Sequence, residues 1–426
     1  MPDPGHHDRV TTTSGAMGSV GDGARKHVVI VGASLAGLRS AESLRAQGFV
    51  GRLTIVGDEG SAPYDRPPLS KQYLSGAWGE ERLWLRARGF DDLSLDLQLN
   101  VRAEALNIAN HELSTSTGDI AFDGLVIATG ARPRRLPEPL DHRDHFVVRT
   151  KAHSDELRDK LNDGAKVVVI GAGFIGAEVA ATARGRGCEV TILEAAPLPL
   201  ERQLGPDMAR VCAGLHERNG VTLHTGVTIV ATTAKSVTLA DGRSFAADVV
   251  VVGVGVQPNI EWLQGSGLTL GNGIECDETC RAAPAIVAVG DVACWPNARY
   301  DERARVEHWT NAAEMAEHGA ATLLADLNGT PEAALSYMPV PYFWSDQYAT
   351  KIQFLGRVGG FDEVRVVAGD ADSAKLLALY RRGDRVVGAL GLSMPRHVMT
   401  YRRLLLENAD WHEALASVPG TKAPGA

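Results

Sequence analysis

GASLAG, residues 32–37, is nearly repeated as GAGFIG at residues 171–176, with Ser34 in the first copy where the second has Gly173. The apolar run HVVIV leads into the first loop. LRSAESLRAQG follows at helical spacing and closes on Gly48, and RLTIVGDE is a second apolar run ending at Asp58. Strand, glycine loop, helix and strand form the context in which such a loop has physical meaning. The helix start presents unpaired amides to a pyrophosphate, the glycines let backbone approach it, and the acid after the second strand accepts from a ribose. KVVVI, GAGFIG, AEVAATARGRG and CEVTIL, ending at Glu194, repeat every part with Gly171, Gly173 and Gly176 all present. Two complete units predict two dinucleotide sites. Ser34 places a Cβ near the phosphate, but its hydroxyl can itself donate to a phosphate oxygen, so the first site stands.

The rest of the 426-residue chain is 44% hydrophobic and 22% charged, a globular composition at a length that suits two or three domains. No apolar stretch approaches the roughly 20 residues of a membrane span. Residues 1–25 are polar and rich in Gly, Ser and Thr, without the apolar core of an export signal. A disordered leader and a cytoplasmic protein with no membrane contact are expected. Cys188, Cys212, Cys276, Cys280 and Cys294 are too scattered for a disulfide framework. The Cys276/Cys280 pair has no partner at zinc-like spacing, so no metal is expected. A net charge of −9 argues against nucleic acid.

Three more apolar runs end in glycine turns. FDGLVIATGARP delivers Ala128, Thr129 and Gly130, and ADVVVVGVGVQPN delivers Gly255. AIVAVGDVA delivers Asp291, an acid placed to hold a sugar-like chain. After Glu194 the nearest arginine is Arg202, so a carboxylate that repels a 2′-phosphate meets no compensating charge. NADH is therefore expected over NADPH.

This order of motifs resembles the two-dinucleotide-domain flavoprotein reductases, and within them the bacterial ferredoxin reductases of the putidaredoxin reductase and biphenyl-dioxygenase reductase type. Beyond the loops, the resemblance rests on PYDRPPLSKQYLSG (63–76), ATGARPRRLP (128–137), VGDVA (289–293), VEHWTNA (306–312) and PYFWSDQYATKIQFLG (341–356). It covers residues 27 to 410. It implies an α/β fold with two Rossmann-like dinucleotide-binding domains and a smaller α+β C-terminal domain. FAD would take residues 26–148 and 273–336, NAD residues 149–272, and the C-terminal domain residues 337–426.

The same resemblance assigns residues. The first loop, with Gly32, Ser34, Ala36, Gly37 and Asp58, would hold the ADP half of FAD, with Ala103, Ala128, Thr129, Gly130 and Arg149 as further FAD contacts. Asp291 would hold the ribitol, and Trp309 and Trp344 would lie on the flavin. Gly171, Gly173, Phe174, Ile175, Gly176, Glu194 and Gly255 would bind NAD. Glu178 would face Lys71 across the flavin's reactive edge, and these two are the candidate catalytic residues.

The implied activity is NADH-dependent reduction, through FAD, of an iron–sulfur ferredoxin that serves a cytochrome P450 or another oxygenase. The absence of CxxC and CxxxxC removes dithiol chemistry. Docking of an acidic ferredoxin would need local basic surface. Candidates are Arg381, Arg382, Arg385, Arg396, Arg402 and Arg403, then Arg86 with Arg88, then Arg303 with Arg305. The alternatives are a rubredoxin or small-molecule reductase of the same fold, and an interaction protein switched by FAD and NADH that resembles apoptosis-inducing factor.

Overall fold

The computed structural model describes residues 26–418, so the expected leader lies outside the described residues. Its first sheet has six strands, in the order Arg281–Ala283, Ile286–Ala288, Gly124–Ile127, His27–Val31, Arg52–Gly57, Asp96–Leu99. All neighbours are parallel except the first pair. The central strands are buried along nearly their whole length, which is why they read as unbroken valine and isoleucine rather than as an alternation. The helices Leu35–Ala46 and Trp309–Leu327 pack against each other beside this sheet.

A second sheet, wholly parallel, runs Thr222–His224, Glu189–Leu193, Lys166–Ile170, Val249–Val252, with the helix Phe174–Gly185 after its own glycine loop. The chain between Gly124–Ile127 and Ile286–Ala288 thus builds the whole second sheet, and smaller antiparallel ones, before it returns to finish the first. Several contacts tie the units together. Ala131–Pro133 pairs antiparallel with Val256–Pro258, and Asn259 Nδ2 donates 2.8 Å to the Thr129 carbonyl while Thr129 Oγ1 donates 2.9 Å to that of Asn259. Tyr64, Leu69 and Leu74 also share a core with Leu157, Val167 and Ile192 of the second unit.

The third unit is a five-stranded antiparallel sheet, in the order Tyr342–Gln347, Thr350–Gly356, Arg385–Leu392, Lys375–Arg382, Glu363–Asp370. Its faces follow the two-residue period of a strand. Leu377 and Leu379 pack with Val398 and Leu404 of the helix Pro395–Leu406. Leu376, Ala378 and Tyr380 turn the other way, onto Leu204, Met208 and Cys212 of the helix Glu201–Arg218 from the second unit. The Tyr380 hydroxyl donates 2.7 Å to the Leu204 carbonyl there, and His216 Nδ1 lies 2.8 Å from the Tyr348 hydroxyl.

All five cysteines are buried and free. Among the described residues no helix is long and apolar enough to cross a membrane.

Candidate functional site

At the first loop, Gly32 has φ +121°, and a Cβ on it would strike the Ala128 carbonyl. A Cβ on Gly37 would strike the carbonyl of Gly32, so the helix lies directly on the end of its strand only because Gly37 has no side chain. Ser34 caps the helix Leu35–Ala46 in an extended conformation, φ −125°, which any residue adopts. Its Oγ accepts from Arg66 Nε at 3.3 Å. Arg66 also donates to the Arg149 carbonyl at 2.8 Å and to Glu59 Oε1 at 2.6 Å.

Arg149 in turn reaches Asp291 Oδ2 at 3.3 Å. Burial, and next the like charge of Arg66, lower the pKa of Arg149. Arg66, bonded to the Ser34 hydroxyl and paired with Glu59, and Arg149, paired with Asp291, set two guanidinium groups beside the first loop, where an anion would be favoured. Asp58, just after the second strand, is exposed. Gly290, at φ +74°, lies so close to Ala36 that a Cβ would come within 3.1 Å of the alanine methyl, which sets Asp291 over the first loop. Ala128, Thr129 and Gly130 lie at the end of the neighbouring strand. Ala103, half-buried, sits on a small antiparallel sheet packed against the first core.

At the second loop, a Cβ on Gly176 would strike the Gly171 carbonyl, the same close packing as in the first. Gly173 differs. An added Cβ would meet nothing nearer than the Gly253 carbonyl at 3.9 Å. No packing within the chain requires glycine there, so the open space at the helix start is the kind a pyrophosphate fills. The donor set and the spaces at both loops fit two dinucleotides. Glu194 accepts from the backbone of Ala172 at 2.7 Å and of Ala196 at 2.7 Å, one on each oxygen. Gly255 turns at φ +101° opposite this loop. Ile175 is 44% exposed, and Phe174 packs its ring 4.6 Å from Phe343 of the third unit.

Lys71 and Glu178 meet between the two loops. Lys71 Nζ donates 2.9 Å to Glu178 Oε2, with side chains 10% and 3% exposed. Ser70 donates to the same oxygen at 2.5 Å, and Ser345 donates to Oε1 at 2.8 Å. Pro67 and Pro68 open the short helix that presents Ser70 and Lys71. Trp309 Nε1 donates 2.7 Å to Asp65 Oδ1, and burial raises the Asp65 pKa above its ordinary value. The rings of Trp309 and Trp344 stand 6.1 Å apart edge-to-face, and Tyr342 stacks on Trp344 at 6.0 Å.

Sequence reasoning singled out Lys71, Glu178, Trp309 and Trp344 but missed Arg66, Asp65, Ser70 and Ser345. Asp65 and Arg66 lie between Pro63 and Pro67 and Ser70 follows Pro68, so polar residues beside prolines were the available signal. Ser345 could have been found from strand alternation alone, because FWSDQ turns its serine to the same side as Phe343.

The basic stretches are less free than their composition suggests. Arg86 is buried and bonded to Glu42 and Asp92. Arg305 pairs with Glu307, Arg381 with Glu363, Arg402 with Glu314 and Arg403 with Glu407.

Residues 26–316 match the family model described as pyridine nucleotide-disulphide oxidoreductase, and residues 342–421 match the reductase C-terminal family. The chain belongs to the pyridine nucleotide-disulphide oxidoreductases and is an oxidoreductase with a reductase C-terminal domain. It is 39% identical over 397 residues to rhodocoxin reductase of Rhodococcus erythropolis, covering 89% of this chain and 89% of that protein. To putidaredoxin reductase of Pseudomonas putida it is 36% identical, covering 87% and 90%. The covalent putidaredoxin reductase–putidaredoxin complex superposes with a TM-score of 0.85 at 32% identity, over 93% of this chain and all of that one.

Proposed function

We propose that this chain is an NADH-dependent flavoprotein reductase. It holds FAD on the first loop and NADH on the second, and delivers electrons one at a time to a small iron–sulfur ferredoxin that serves a cytochrome P450 or another oxygenase. The observation that carries the reading is the Lys71–Glu178 pair, which joins the two dinucleotide units in a chain whose five cysteines are all buried and unpaired. A dithiol relay has no residues to use, so electrons leave outward.

FAD held at the first loop would supply the conversion between a two-electron hydride donor and a one-electron acceptor. The residues of this chain do the rest. Arg66 and Arg149 neutralise the pyrophosphate, and Asp58 and Asp291 accept from sugar hydroxyls. Lys71 and Glu178 fix each other where the two ligands meet, and Trp309 and Trp344 close that space to water. Glu194, held by two backbone amides, would set its carboxylate where NADPH would bring its 2′-phosphate, which supports NADH as the donor. Relatives from Burkholderia cepacia and Paraburkholderia xenovorans are named ferredoxin–NAD(+) reductase components of dioxygenase systems, and a ferredoxin partner is proposed here.

The test is anaerobic titration of the purified protein with NADH and, separately, NADPH, followed by addition of a [2Fe–2S] ferredoxin. Rapid bleaching of the yellow colour by NADH, slow bleaching by NADPH and one-electron reoxidation by the ferredoxin are expected. Reduction that stops at the flavin and is not passed to any ferredoxin would refute the acceptor assignment.

A further inference from the structure

The strand Tyr342–Gln347 does not obey the rule for a buried strand face. Its alternation turns Phe343, Ser345 and Gln347 inward, and the strand lies against the helix Phe174–Gly185. Ser345 and Gln347 are both fully buried. Hydroxyls and amides cost stability in such a place unless they answer a polar need.

Here the need is Glu178. Gln347 Nε2 donates 3.3 Å to Ser345 Oγ, and Ser345 Oγ lies 2.8 Å from Glu178 Oε1. A serine hydroxyl has one proton. With the Gln347 amide directed at an oxygen lone pair, that proton points to Glu178. The other carboxylate oxygen, Oε2, takes Ser70 and Lys71. The two oxygens therefore belong to two different parts of the molecule, Oε1 to the C-terminal sheet and Oε2 to the proline-bracketed segment.

We propose that Ser345 is a positioning residue for hydride transfer, which fixes the plane of the Glu178 carboxylate and through it the Lys71 ammonium. The inference rests on the reading of Lys71 and Glu178 as the pair at the junction of the two dinucleotides. The terminal torsion of a glutamate is soft. A carboxylate held at one oxygen turns about that torsion, while one held at both does not. Gln347 acts one step further back by fixing the direction of the serine proton.

The test uses the FAD-loaded protein and its variants Ser345→Ala, Ser345→Thr, Glu178→Ala and the Glu178→Ala/Ser345→Ala double. Anaerobic stopped-flow reduction across NADH concentrations separates the limiting rate from the dissociation constant, and NAD+ affinity is read independently from the visible spectrum. Ser345→Ala is expected to lower the limiting rate about tenfold, as loss of near-attack geometry does. The NADH and NAD+ dissociation constants should stay within about twofold, because only geometry is lost. Ser345→Thr keeps the hydroxyl and is expected to restore most of the rate. In the Glu178→Ala background, loss of Ser345 should cost nothing more, since the serine acts only through that carboxylate.

A limiting rate for Ser345→Ala equal to wild type overturns the proposal. So does a Ser345→Thr protein as slow as Ser345→Ala, or losses that multiply in the double variant. If Ser345→Ala does not retain FAD, Gln347→Met reads the same relay from one residue away. A several-fold fall in its limiting rate supports the relay, and an unchanged rate overturns it. A wild-type flavin that NADH does not bleach would refute the proposed function itself. A bleached wild type with an unaffected Ser345→Ala refutes only the positioning role.

Discussion

The Lys71 ammonium meets the Glu178 carboxylate at 2.9 Å although one follows the first dinucleotide loop and the other stands on the helix of the second. With both side chains nearly buried, removal of one partner leaves the other charge poorly compensated, which ordinarily costs about 3–5 kcal/mol. Ser70 and Ser345 still solvate the carboxylate, so the cost for Lys71→Ala is expected at the lower end, about 3 kcal/mol in denaturant unfolding. The Lys71→Ala/Glu178→Gln double variant should recover part of that loss, because it removes the stranded charge as well. A double variant as unstable as, or less stable than, the single would contradict a buried ion pair of this kind.

On the proposed reading, Glu194 would separate the two nicotinamide donors by charge rather than by shape. Ala195 and Ala196 follow it, so nothing nearby replaces the repulsion if the carboxylate is lost. Glu194→Ala is expected to shift the ratio of kcat/KM for NADPH over NADH by about tenfold toward NADPH, a change of about 1.4 kcal/mol. Steady-state reduction of ferricyanide with each donor measures it. An unchanged ratio would move the discrimination elsewhere.

Ser34 occupies extended backbone and takes a hydrogen bond from Arg66, so it imposes no strain. Ser34→Gly should hold FAD within about threefold of wild type, since glycine at a helix cap costs only a few tenths of a kcal/mol. Ser34→Val puts a branched, apolar side chain at the helix start and should weaken FAD binding by about tenfold or more. Fluorescence of released FAD on dilution reads both, and a tight Ser34→Val protein would show that the first loop tolerates bulk.

His216 gives the fold a dependence on pH. Burial lowers its pKa to about 4 from the ordinary 6.5, so the folded chain keeps it neutral. Between those values the unfolded chain binds a proton that the folded chain refuses, and stability falls as the pH is lowered. Above pH 6.5 the residue has no effect on the slope. The full loss across the window amounts to about 3 kcal/mol. A His216→Gln variant should show a flatter stability profile between pH 6.5 and 4. Profiles that run parallel would mean that the imidazole is protonated in the folded protein.

Burial holds Cys212 and Cys276 at a pKa of about 12 and raises Cys188, Cys280 and Cys294 as well, so none of the five is a ready thiolate at neutral pH. A thiol-specific reagent should leave the folded, FAD-loaded protein unmodified over minutes and NADH oxidation unaffected. Rapid inactivation would reinstate a cysteine in the electron path.

Much of this was legible in the sequence because the two loops are local. A glycine fingerprint between a strand and a helix is complete within some thirty residues, and the valine runs around it report burial on both faces. What escaped was made by chain crossings. Nothing in the order of residues says that Arg66 lies on Ser34, or that Ser345 approaches Glu178 from a different unit. The arginine stretches misled for the opposite reason. Their charge is plain in the sequence, but the acids that neutralise Arg402 and Arg381 come from a distant helix and a neighbouring strand.

The interrupted first sheet has a consequence for synthesis. Gly124–Ile127 waits for Ile286–Ala288, and the whole four-stranded parallel sheet leaves the ribosome between them. During that interval the nascent chain carries an open, apolar strand edge, Gly124–Ile127, beside the first glycine loop. The second unit has its own complete parallel sheet and can form first, whereas the first closes only on contacts of very long sequence separation, which are slow to make. The segment that completes it also carries Asp291 and Trp309, so the nascent chain lacks two residues of the proposed flavin site until the edge is covered.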